Sequence, residues 1–366
     1  MKKRQVIFKI FYAAILLPQF LNAQKTVVEI KGNAFYINGK PTYEGRYWKG
    51  HKIEGLLMNS RMVQGVFDDL SKKTRDTFAY PDTKKWDAKR NNTEFVNNMA
   101  LWKSYGLNAF TVNLQGGSPF GYGNFDFDNP GFKPDGSLDK NYMKRLDNIL
   151  KKADELNMVV ILGLFYFGQD QRLKDEAAIK NATTNTINWL FKKGYRNVLI
   201  EINNETLGSI KQYDHEILLY QRVDELITMV RNMEKKGYRY LVGTSFPAPI
   251  VPTKNVVDAS DFVLFHGNAH RTAQKFTDHI AKVKAVVGSR IMPIVNNEDD
   301  NFDFDTDSSH FAIAIENYIS WGYFDYRAKG VTDQKEGYQS IPVDWGINSN
   351  RKKAFFNKVK EITGVL

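Results

Sequence analysis

The chain has 366 residues, 42% of them hydrophobic and 25% charged, enough to bury a sizeable core in one large or two small domains. Its formal charge of +10 is spread without any Lys/Arg block interleaved with aromatics, which argues against a nucleic-acid partner. It contains no cysteine, which excludes disulfides, thiolate metal sites and a lipidated N-terminal Cys.

The first 23 residues carry the three parts of an export signal. Lys2, Lys3, Arg4 and Lys9 supply positive charge, Ile10 to Leu17 an apolar run, and Leu21-Asn22-Ala23 a small-residue cleavage site. The mature chain is therefore expected to begin near Gln24, as a soluble periplasmic or secreted protein. An uncleaved anchor is the alternative, but the apolar run is short for a bilayer and nothing later approaches the ~20 residues required, so no membrane insertion is expected after cleavage. Four cations leave with the signal, and the remainder is only mildly basic. That charge would tolerate an acidic polysaccharide without demanding one.

Val27–Ile30 and Ala34–Ile37 flank Lys31-Gly32-Asn33 and predict a β-hairpin, placed to plug the bottom of a barrel. From Ile53 onward short apolar runs alternate with helical patterns. The predicted strands are Glu54–Asn59, Leu107–Asn113, Met158–Phe165, Asn197–Asn203, Tyr238–Thr244, Phe262–His266, Met292–Asn296 and Gly322–Tyr326. Between or after them lie predicted helices over Thr93–Tyr105, Asp139–Leu156, Asp175–Lys193, His215–Lys235, Thr272–Val287, Ser308–Trp321 and Arg351–Ile362. Several end in Gly, which a helix C-terminus favours. The fifth unit is reduced: Phe246 to Pro252 reads as irregular loop, leaving room for a short helix near Asn255–Ser260.

Eight strands joined by helical crossovers imply parallel pairing. A closed (β/α)8 TIM barrel, with its N-terminal hairpin, is favoured over an open doubly wound sheet. The strand count fits it, and no Gly-rich phosphate loop follows the first strand. No linker or low-complexity tract divides residues 24–366, so a single catalytic domain is expected. Gly116 to Pro134 reads as a long loop of the kind that shapes a site at the strand C-terminal face.

Reacting groups in such a barrel project from strand C-terminal ends. Two ends stand out: the fourth strand finishes Asn203-Asn204-Glu205 and the seventh Asn296-Asn297-Glu298. Carboxyls in contrasting surroundings are what splitting acid and nucleophile roles at a glycosidic bond requires. Other strand ends supply Asn59, Arg61, Asn113, Gln115, Tyr166, His266 and Trp321, candidates together with Asn204 and Asn297 for binding substrate. Glu201, four residues before Glu205, points to the same side by alternation and reads as a lower-layer residue rather than the catalyst.

These strand ends resemble clan A of the glycoside hydrolases, the cellulase- and mannanase-like (β/α)8 enzymes. The resemblance covers most of the chain after the signal in outline, and only the two strand ends are specific. It implies Glu205 as acid/base, Glu298 as nucleophile, Asn204 on the sugar 2-hydroxyl, Trp321 as the floor of the subsite holding the attacked sugar, and His266 as a polar neighbour of the nucleophile. There are two departures. Thr206 stands where many members have Pro, and His266-Gly267-Asn268 replaces the frequent His-x-Tyr, leaving the Tyr that contacts the nucleophile unassigned. The implied function is retaining hydrolysis of an oligo- or polysaccharide by double displacement, without cofactor or metal, with carboxyls about 5–5.5 Å apart.

Each residue also admits a plainer reading. Glu205 could serve a helix N-terminus, Glu298 could belong to a solvated acidic turn, and Trp321 and His266 could be core. Two other functions stay open: a non-catalytic carbohydrate-binding barrel, and a metal-dependent hydrolase using the acidic run Asp299 to Asp307. No His-x-His, His-Glu-x-x-His or Gly-x-Ser-x-Gly pattern occurs.

Overall fold

The structure is a computed structural model that describes residues 26–116, 126–208, 213–327, 331, 333–339 and 341–365. The export signal and part of the long loop after Gly116 lie outside the described residues. Eight parallel strands form the central sheet: β1 (Asn59–Arg61), β2 (Ala109–Asn113), β3 (Val159–Phe165), β4 (Val198–Asn203), β5 (Leu241–Gly243), β6 (Val263–His266), β7 (Ile294–Asp299) and β8 (Ser320–Tyr323). Their hydrogen-bonded order is β5-β4-β3-β2-β1-β8-β7-β6. Between β5 and β6 the ladder thins to single bonds: Asp261 N–H donates to Val242 O at 2.9 Å, and His266 N–H to Phe246 O at 3.0 Å. The barrel is thus closed, with a seam at its fifth unit.

The helices are α1 (Ala88–Ser104), α2 (Lys140–Glu155), α3 (Glu176–Lys193), α4 (Val223–Arg231), α5 (Lys254–Ala259), α6 (Ala273–Val287), α7 (His310–Glu316) and α8 (Asn350–Thr363). Most starts are set by a side-chain cap. Asp87, Asp139, Asp175, Thr272, Ser309 and Ser349 each accept from a backbone N–H in the first turn. The Asp87 cap starts α1 five residues before the predicted Thr93. The six-residue α5 is the reduced fifth helix.

The fourth helical segment departs most from expectation. The single helix expected over His215–Lys235 is instead a 3-10 turn at Glu216–Leu218, the nine-residue α4, and a two-stranded hairpin pairing Glu234–Lys235 with Tyr238–Arg239. Lys236 and Gly237 both have positive φ, 53° and 73°, the backbone of a type I′ hairpin turn. Lys-Gly there makes a turn, where the sequence alone read Gly237 as a helix terminus.

Barrel strands alternate. A lower inner layer of Leu57, Ala109, Val159, Ile161, Leu199, Phe262, Leu264 and Val295 packs with Val28 and Phe35 of the N-terminal hairpin (Val28–Lys31 with Ala34–Ile37). Phe35 meets Phe262 edge-on at 6.4 Å, and Val28 N–H donates to Arg196 O. The hairpin therefore seals the bottom of the barrel, as its position in the sequence suggested. The opposite residues face the helices and form the larger core. Among the described residues no helix is long and apolar enough to cross a membrane.

Candidate active site

Above the apolar layer the barrel interior turns polar. Arg61, Asn113, Gly163, Glu201 and Asn297 lie inside it, all buried. Glycine makes the room. A Cβ on Gly163 would fall 2.2 Å from Asn113 Oδ1, and one on Gly322 would fall 2.0 Å from Asn59 Oδ1.

Glu205 follows β4 with φ of +55°, the left-handed region that a residue with a side chain rarely adopts. Two contacts with the neighbouring strand fix this backbone. Glu205 N–H donates to Ser245 Oγ at 3.0 Å, and Thr206 N–H donates to Ser245 O at 2.9 Å. A proline at 206 could not make the second bond, which gives a physical reason for Thr there.

Glu298 reaches the same cleft by a different device. Val295 faces inward, Asn296 outward and Asn297 inward, so strict alternation would send Glu298 out. The pairing of β6 with β7 slips instead: Phe265 opposes Asn296 and His266 opposes Glu298, leaving Asn297 as the extra residue of a β-bulge. Asn297 and Glu298 consequently both point inward. Asn296 and Asp299 point outward, where Asp299 accepts from Asn296 Nδ2 (2.9 Å) and Trp321 Nε1 (3.1 Å) and meets His310 Nδ1 (3.0 Å).

The two carboxylates meet around His266. Its Nδ1 lies 2.8 Å from Glu205 Oε1 and 3.4 Å from Glu298 Oε2, and one oxygen from each acid and a nitrogen of His266 all fall within 4.8 Å of one another. Arg61 Nε contacts Glu298 Oε2 at 2.5 Å, its Nη2 donates to Asn204 Oδ1, and Asn268 Nδ2 donates to Glu298 Oε1 at 2.8 Å. Burial pushes the Glu298 carboxyl up, His266 and Arg61 pull it down, and Glu205 and Glu201 push it up again; the net is above its ordinary value of 4.5. Burial works against charge on His266, yet Glu298 and Glu205 outweigh it and raise the imidazole above 6.5. Burial lifts the Tyr166 hydroxyl well above its usual range, helped by Glu298 and Glu205, and the Gln339 side chain hydrogen-bonds it.

Glu205, Glu298, Asn204, His266, Arg61 and Tyr166 thus gather in one place. Others of the expected set do not. Trp321 stands in β8 opposite Asn296, on the outer face, stacked on Phe311 at 4.6 Å and packed beside Phe355; it is core between sheet and helices and cannot floor a sugar site. The reason is phase: β8 begins at Ser320, so Ser320 and Gly322 take the inward positions. Gln115 spends both ends on backbone, accepting from Tyr166 N–H and donating to Gln169 O, and serves loop structure. Asn59 opens β1 instead of ending it, so it sits low in the barrel with Nδ2 on Leu57 O. Asn297 turns down to Glu201, donating at 3.3 Å, and Asn113 shares that lower level.

The sequence reading noted Asn268 at the end of the sixth strand without giving it a role, and it missed Gln339. Asn268 occupies the slot where the clan often has Tyr, and its amide N–H donates to Glu298; the slot was the available signal. Gln339 arrives from a long loop after β8 and left no pattern. The acidic run after β7 is dispersed, with Asp299 turned outward and Asp307 paired with Lys49.

The family model for cellulase (glycosyl hydrolase family 5) matches residues 72–261. No curated protein matches the sequence. Among solved structures the chain is similar to an endo-1,4-beta-mannanase from Rhizomucor miehei, with TM-score 0.54 and 11% identity over 93% of this chain and 99% of that one. It is similar to a glycoside hydrolase family 5 mannosidase from the same organism (TM-score 0.52, 14% identity, 94% and 99% covered). A GH5-4 broad specificity endoglucanase from Clostridium acetobutylicum gives TM-score 0.51 and 10% identity over 83% and 96%. At such identities these likenesses speak for the barrel alone. The family match itself takes in more than half the chain, including β2 to β5 and the Asn204-Glu205 strand end, so this chain belongs to glycosyl hydrolase family 5 and is an O-glycosyl hydrolase.

Proposed function

We propose that the chain is a retaining glycosidase of exported type, with Glu205 as acid/base and Glu298 as nucleophile. The observation that carries this reading is the approach of the two carboxylates to within 4.8 Å with His266 between them. That spacing favours retention, since inverting pairs stand ~6.5–9.5 Å apart to admit a water. Glu298 attacks the anomeric carbon while Glu205 protonates the departing oxygen. Glu205 then takes a proton from water, which releases the sugar from Glu298.

The environments suit these roles. Glu298 has the Arg61 guanidinium as an ion-pair partner and Asn268 as a hydrogen-bond donor, and both favour the ionised form a nucleophile needs. Asn204 Nδ2 is buried without a hydrogen-bond partner among the described residues and faces the same cleft as an amide donor for a sugar hydroxyl. The lower-layer Asn59, Asn113 and Asn297 support the site from beneath.

The substrate reading is an oligo- or polysaccharide, and the mannanase, mannosidase and endoglucanase neighbours make β-mannans and β-glucans the first to test. The mature protein is incubated with 2,4-dinitrophenyl β-mannoside and β-cellobioside and with a mannan and glucan panel, and the anomer first released is identified by NMR. Retention is expected. Glu298→Ala is expected to lose at least about 10³-fold in kcat, and azide to restore turnover by displacing the leaving group directly, giving the glycosyl azide of inverted anomeric configuration. Full activity in Glu298→Ala would exclude the assignment. Export is tested separately, by finding whether the N-terminus of the protein recovered outside the cytoplasm begins near Gln24.

A further inference from the structure

Glu201 is a carboxylate inside the barrel that the double displacement does not use. It is fully buried on β4, four residues before Glu205. Its Oε1 accepts from Asn297 Nδ2 at 3.3 Å; its Oε2 has no hydrogen bond and faces Arg61 Nη1 at 3.6 Å. Arg61 is itself fully buried, with Nε on Glu298 and Nη2 on Asn204 Oδ1. One planar guanidinium therefore touches three groups: the nucleophile, the amide beside the acid/base, and Glu201.

A guanidinium only donates, so whatever it faces must offer oxygen. That requirement settles the Asn204 amide, with Oδ1 toward Arg61 and the NH2 left as the free donor. It also raises a question. Arginine and a carboxylate favour a two-pronged fork, which neutralises the carboxylate most fully. Arg61 makes no such fork with Glu298: its Nε comes within 2.5 Å of Oε2 without hydrogen-bond geometry, its Nη2 is spent on Asn204, and its Nη1 is turned to Glu201. We propose that Glu201 is a positioning residue: it holds Arg61 away from a bidentate fork with Glu298, so that the nucleophile stays only partly neutralised and Asn204 is presented as a donor. This rests on Glu298 being the nucleophile.

The charges bearing on the cluster come from every side: Arg61 on β1, Tyr166 after β3, Glu205 after β4, His266 on β6 and Glu298 on β7. Within it Glu201 acts on Glu298 in the same sense as Glu205, opposing Arg61 and His266.

Glu201→Gln removes the charge, and Glu201→Asp keeps it one methylene further from Arg61. The Glu298 carboxyl is followed by ¹³C NMR titration of Glu-labelled protein, its signal assigned by its loss in Glu298→Gln. In Glu201→Gln its midpoint is expected to fall by about one pH unit. The acid limb of kcat/KM on the dinitrophenyl glycosides is expected to move down with it. Loss of the Arg61 anchor should cost about tenfold to hundredfold in kcat with KM changed less than about threefold. A Glu298 midpoint within about 0.2 unit of wild type overturns the proposal, as does an unmoved acid limb with a loss that only tracks the thermal midpoint. Should Glu201→Gln fail to fold, Glu201→Asp is expected to shift the midpoint down by about 0.3–0.5 unit, and no shift in it is equally decisive. The titration uses no substrate. A protein that cleaves no glycoside would sink the glycosidase reading, while the coupling of Glu201 to Glu298 would still be read.

Discussion

Asn268 shows how the site keeps a chemical requirement while changing the residue. A carboxylate nucleophile held in a buried cleft needs donors, or it protonates and stops attacking. Asn268 Nδ2 supplies a hydrogen bond at 2.8 Å, and Arg61 supplies positive charge through its ion pair. With Glu298 as the proposed nucleophile, it must be ionised to act, and burial lifts its pKa above 4.5, so kcat/KM is expected to fall with decreasing pH through a value above 4.5. Asn268→Ala removes a bond made to the ionised form, so the pKa rises further. The acid limb should move to higher pH, and kcat/KM at neutral pH should drop by about tenfold to hundredfold. A pH–rate profile of both proteins checks this, and a limb that stays in place or moves to lower pH would show that Asn268 does not hold the nucleophile. At this scale the sequence was informative where a residue ends a strand. Asn204, Glu205, His266 and Arg61 are of that kind, and each lies in the cleft. Trp321 was not legible, because its facing depends on whether residue 320 or residue 321 takes the inward phase of β8, a one-residue choice that a strand buried on both faces does not reveal in its sequence. Gln339 belongs to a loop, whose path the local sequence does not determine.

Elements carry the next layer of the design, and here irregularity does the aiming. The bulge at Asn297 turns Glu298 inward where plain alternation would turn it out, and the left-handed backbone at Glu205 turns the other acid. Hydrophobic periodicity located β7 to within two residues at its start and three at its end, and could not reveal the bulge, because Asn296, Asn297, Glu298 and Asp299 are all polar. Glycines on the strands make space for the asparagines beneath the site. Gly163 sits in β3 beside Asn113, whose side-chain atoms have no hydrogen-bond partner among the described residues. In Gly163→Ala the new Cβ would lie 2.2 Å from Asn113 Oδ1 and drive that amide toward the Glu201–Arg61 level. The expected cost is about 1–3 kcal/mol of stability by urea unfolding, with activity reduced. Asn113→Ala in the same chain opens the space again and should recover most of that stability. Failure of the second substitution to rescue the first would show that Gly163 is needed for its backbone and not for the room it leaves.

Across the whole molecule the barrel is a ring closed at unequal strength. The alternation of strands and helices announced the ring and its hairpin plug, and the short α5 announced where it is thin. What the sequence could not show is how the thin place holds. At the seam β5 and β6 are not joined by a ladder; Asp261 joins them. Its carboxylate accepts from Arg239 Nη1 at 2.7 Å and Nη2 at 2.8 Å, and from Val242 N–H at 3.0 Å, while its own N–H donates to Val242 O. Below it Phe262 is clamped by Phe35 of the plug. Asp261→Ala leaves the Val242 N–H and the half-buried Arg239 without their acceptor, at an expected cost of about 2–4 kcal/mol. Because no catalytic side chain stands on β5, and its hold on the Glu205 backbone is made at Ser245, three residues beyond Val242, turnover at low temperature should stay within about threefold of wild type, while the thermal midpoint falls by several degrees. Hydrogen exchange distinguishes a local seam from general weakening. The amides of Val242, Asp261 and His266 are expected to exchange faster in the variant, with those of Thr111 and Ile161 on the far wall changed least. Equal acceleration around the ring would mean that the barrel opens as one unit and that Asp261 is only one contact among many.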